Sequence, residues 1–104
     1  MLKNARPSEY FIGAILRAYD REQQRGQRAV TCSALWDHIV IECLRTRGGF
    51  DAMFAWDQSK ARSINRIGTI TEAIQRGFVP GLALDRDARG RETVSAAAEP
   101  RCRI

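Results

Sequence analysis

Apolar residues recur at helical spacing through most of the chain. Phe11, Ile12, Ile15, Leu16 and Tyr19 fall within an arc of about 140° on a helical wheel, a single core-facing stripe. Ser8 or Pro7 can open that helix, Glu9 favours its positive end and Gly26 stops it. The pattern predicts a helix over 8–25 behind a short polar arm, residues 1–7. Thr31 or Ser33 caps a second helix, predicted over 32–47 and closed by Gly48-Gly49. Its interior from Leu35 to Leu44 is apolar around more than half its circumference. The β-branched run Ile39-Val40-Ile41 would also suit a strand, but the flanking caps and the lack of strict alternation favour helix.

The third segment carries the longest pattern. Asp51 can cap it, Phe50 stands where a hydrophobic staple would sit, and Met53, Trp56, Ile64, Ile67, Ile70, Thr71 and Ile74 stay within an arc of about 120°. Gly77, Phe78 and Pro80 form a stop signal. Unbroken over 51–76, this helix would span about 39 Å, with Gly68 as its weak point. Written as heptads, Met53, Trp56, Lys60, Ser63, Ile67, Ile70 and Ile74 form a seam that Lys60 and Ser63 interrupt, a break that can set register between paired helices. After Gly81 the periodicity ends, and residues 85–104 contain no aromatic side chain. The expectation is an all-α, three-helix domain over 8–80, associating as a helical-bundle homodimer, with a flexible tail over 81–104 whose removal after Leu84 leaves stability nearly unchanged.

Composition adds limits. A chain of 104 residues has room for one domain, and 44% hydrophobic with 28% charged residues places it among globular proteins rather than disordered ones. The net charge of +5 is spread out: 12 basic and 8 acidic residues over 1–80, 5 and 4 over 81–104, with no lysine-rich tail. The odd cysteine count and the absence of any CxxC fit a reducing, cytoplasmic setting. On one helix, Cys32 and Cys43 would lie roughly 16 Å apart, too far for a disulfide. No apolar run approaches the roughly 20 residues of a membrane span, and no targeting pattern opens the chain.

Convergent chemistry is sparse. His38 and Glu42, one helical turn apart, read as a hydrogen-bonded surface pair rather than half a metal site. Cys43 lies among apolar neighbours, as an inert buried thiol does. Ser59-Lys60 lacks an oxyanion-hole loop, and Gly48-Gly49 leads into Phe-Asp rather than a phosphate-cradling Gly-Lys-Ser/Thr. No enzyme, metal or cofactor is expected. Arg17, Arg21, Arg25 and Arg28 form a stripe opposite the first helix's apolar face that could follow a phosphate backbone. A helix-turn-helix over 33–62 needs a long linker and puts Lys60 on the apolar side, while a ribbon-helix-helix with Arg28–Cys32 as ribbon leaves the first helix without a role.

The apolar excess points instead to a protein partner. Trp36, Val40, Leu44, Phe54, Trp56, Ile64, Ile67, Ile70 and Ile74 are the expected partner or dimer surface, rich in residue types that dominate interface energetics. The functional expectation is a small non-catalytic regulator, of the antiactivator or inhibitor type, that blocks a partner's assembly or DNA binding. The alternative is a dimeric nucleic-acid-binding transcriptional regulator that uses the arginine stripe.

Overall fold

The computed structural model describes residues 7–26, 29–54 and 67–97. In chain order these form α1 (Glu9–Gln24), β1 (Val30–Thr31), α2 (Cys32–Arg45), α3 (Gly49–Met53), α4 (Ile67–Gln75), β2 (Leu82–Arg86) and β3 (Glu92–Ala96). The strands pair antiparallel in the order β1-β3-β2, so the expected all-α class is corrected to α+β.

Local chemistry sets the helix ends. Ser8 is extended and its hydroxyl oxygen accepts from the Phe11 amide at 3.1 Å, which starts α1. Thr31 does the same for α2, accepting from the Ala34 amide at 3.1 Å. Gly77, at φ 81°, ends α4: its amide reaches the Ile74 carbonyl and the Phe78 amide reaches that of Ala73, each at 3.0 Å. That pair of bonds is a Schellman motif, and it needs the left-handed backbone that glycine adopts without steric cost. Gly68 is accommodated inside α4. Continuity of the third helix across 55–66, and the heptad break at Lys60 and Ser63, lie outside the described residues.

Within its described part, up to residue 97, the expected flexible tail is corrected most sharply. β2 and β3 form a hairpin in register Leu82↔Ala96, Leu84↔Val94 and Arg86↔Glu92. Its loop is built by Asp87. The Gly90 amide donates to the Asp87 carbonyl at 2.9 Å, the Asp87 amide donates to the Arg91 carbonyl at 3.0 Å, and Gly90 sits at φ 78°. A type I turn closed by a left-handed glycine bulge is a standard three-residue hairpin connection. The Asp87 carboxylate also accepts from the amides of Arg89 and Arg91, both at 2.9 Å, and from Arg91 Nε at 2.8 Å. These bonds, led by the Arg91 amide, hold its carboxyl below the usual range.

β3 is the central strand, flanked by β2 and by β1 through Val30↔Val94 and Thr31↔Thr93. Val94 is fully buried, so truncation after Leu84 would remove part of the core together with the middle of the sheet.

α2 is the hub. It contacts α1, α3, α4, β1 and β3. Leu35, Ile39 and Cys43 on its inner face pack into one core with Phe11, Ile15, Phe54, Ile70 and Val94. The inner side of α2 is therefore covered within the chain, mainly by α1, α3 and α4, with β1 and β3 against its start.

Candidate protein-binding surface

The outer face of α2 is set by what its other sides touch. On one flank two ionic contacts tie it to α1. Arg17 reaches Glu42 through Nε to Oε1 at 3.1 Å and through Nη2 to Oε2, a two-pronged contact that raises the arginine's pKa. His38 Nε2 lies 2.5 Å from Glu22 Oε2, and the same oxygen accepts from Arg25 Nη1 at 3.2 Å. Glu22 is buried. The hydrogen bond from His38 holds its carboxyl below the usual range, outweighing burial, and the charge of Arg25 adds to the effect. The expected His38–Glu42 pair is thus corrected: each residue engages α1 instead of the other.

On the other flank, Trp36 is half-buried, with its ring centroid 6.5 Å from that of Phe54, which in turn lies 5.2 Å from Phe11. Between the flanks, Ile41 is 44% and Leu44 76% exposed, and Val40 is half-buried beside them. Ile41 and Leu44 are the exposed large hydrophobic residues among those described. They stand one turn apart, bracketed by exposed Asp37 and Arg45.

The other expected surface residues separate from this patch. Phe54, Ile70 and Ile74 belong to the chain's own core and have almost no surface to offer. Ile67 is partly buried against that core. Trp56 and Ile64 lie outside the described residues, as does Arg28. The arginine stripe does not stay whole either: Arg17 and Arg25 face carboxylates of their own chain, while Arg21 is exposed.

A recess elsewhere on the surface is lined by Thr31, Cys32, Ser33, Ile67, Arg91 and Glu92. Within this region Thr71 donates to Glu92 Oε1 at 3.1 Å and lies 3.7 Å from Cys32 Sγ. Burial pushes the Cys32 thiol pKa up, which favours the protonated, unreactive form. Cys32 and Cys43 are both free thiols. Among the described residues no group of three or more histidines, cysteines or carboxylates could hold a metal ion, and no helix is long and apolar enough to cross a membrane.

What sequence reasoning missed is the hairpin that covers the start of α2. Its one signal was the turn-forming run Asp87-Ala88-Arg89-Gly90. Comparison with known proteins finds no matching family model, no matching curated protein and no matching solved structure.

Proposed function

We propose that this protein is a small non-catalytic regulator that binds another protein chain through the outer face of α2, and so blocks that partner's assembly or its binding to DNA. The observation that carries this reading is the adjacency of Leu44 and Ile41 in a fold that otherwise covers its large apolar side chains among the described residues. A single exposed leucine is ordinary. Two exposed aliphatic residues one turn apart, continuous with half-buried Val40, make a patch that gains about 25 cal/mol for each Å² removed from water. The nucleic-acid reading draws less support, because Arg17 and Arg25 are already engaged by Glu42 and Glu22.

The test is affinity purification from the native cell with nuclease treatment in parallel, using the parent chain and Leu44→Asp. A partner that survives nuclease and is lost with Leu44→Asp supports the reading, provided circular dichroism shows the variant folded. Partners that disappear with nuclease, or that the folded variant retains at full strength, overturn it.

A further inference from the structure

We propose that the outer face of α2 pairs with the same face of a second copy, antiparallel, about a two-fold axis beside Ile41. The inference rests on the reading of this face as a protein-binding surface and names one occupant for it.

The pattern of charge carries it. Asp37, Ile41 and Arg45 are spaced by four residues, so they form one ridge along the exposed side of α2, with Val40 and Leu44 on the ridge beside it. Asp37 and Arg45 lie equally far to either side of Ile41, about 6 Å of helix rise each way. Both are exposed, and neither forms an ion pair with another described residue. In an antiparallel pair, Ile41 meets its own copy while each Asp37 faces the Arg45 of the other chain, twice by symmetry. A parallel pair would set aspartate against aspartate and arginine against arginine. The face is therefore complementary to itself in one orientation and repulsive in the other.

The neighbouring flank cannot extend the contact toward α1, since His38 and Glu42 are committed there. One helix face per copy is a small contact beside the roughly 800 Å² per partner of a standard interface, so the pairing is weak and reversible and is sought at high concentration, about 10 to 500 µM.

Sedimentation velocity on the full chain over that concentration range tests the pairing. The parent protein shows a concentration-dependent rise toward the dimer, and Leu44→Asp abolishes it. Asp37→Arg and Arg45→Asp each weaken association about tenfold or more, by opposing two like-charged pairs. The double variant restores it, and an equimolar mixture of the two single variants associates more strongly than either does alone. All three positions are exposed, so the variants should fold, and circular dichroism checks each one. A parent chain that stays monomeric throughout, or charge reversals without effect or without rescue, overturns the pairing. If the parent is monomeric yet Leu44→Asp still loses a nuclease-resistant partner, only the second-copy inference falls and the broader reading stands.

Discussion

The inner and outer faces of α2 belong to the same fourteen residues and have opposite consequences. The inner face, Leu35, Ile39 and Cys43, is closed off by elements from both ends of the chain. The outer face, Ile41 and Leu44, is covered by none of the described elements. Hydrophobicity alone does not separate them, since Leu35 and Leu44 are the same side chain. What separates them is where α1, α3, α4 and β3 come to rest. An apolar helix thus reports how much surface must be covered, and only the fold says how much the chain covers for itself.

The largest test of that contrast removes part of the inner cover. Truncation after Leu84 deletes β3 and with it Val94, which is fully buried. The loss should exceed about 3 kcal/mol, a fall in thermal midpoint of more than about 12 °C for a domain of this size. A shift of only a few degrees would return β3 to the status of an accessory tail.

Next comes the direct exchange of faces. Leu35→Ala should cost about 2–5 kcal/mol in denaturant unfolding, and Leu44→Ala should stay within about 0.5 kcal/mol. Comparable values for the two would mean that something covers the outer face in the free protein.

The seam between α1 and α2 supplies the third test. The carboxyl of Glu22 has its pKa depressed by His38, so it contributes stability that is present above the ordinary carboxylate value of about 4.3 and is lost as pH falls through its lower folded value. Glu22→Gln should lower the thermal midpoint at neutral pH by an amount corresponding to about 1–2 kcal/mol. The gap between parent and variant should close as pH falls below about 4. A gap that stays constant from neutral to acidic pH would show that the carboxylate's charge is not what holds α1 to α2.

Legibility in the sequence divides along the same line between local and distant causes. Ser8, Thr31 and the Gly77-Phe78 stop could be read because a cap acts on residues three or four positions away. The sheet could not. β1 is two residues long, β2 is partly exposed throughout, and in β3 only Val94 is both large and apolar, so hydrophobic pattern marks none of them as a strand. Their identity comes from pairing with each other. His38 shows the same limit at a single residue. Spacing along the helix offered Glu42, but the partner is Glu22, brought across by packing of α1. At the candidate surface, Leu44 could be named from the sequence, while Phe54, Ile70 and Ile74 look equally suited to an interface until the fold buries them.

Thr31 caps α2 through its side chain while its backbone pairs with Thr93 as the end of β1. One residue therefore joins the most local kind of order in the molecule to one of the most distant. The cap of α2 needs only a residue three positions away, whereas β1 must wait for a partner that a ribosome delivers more than sixty residues later. The short strand at its start thus ties the first turn of α2 to the C-terminal hairpin, so that a change at Thr31 is felt both along the helix and across the sheet.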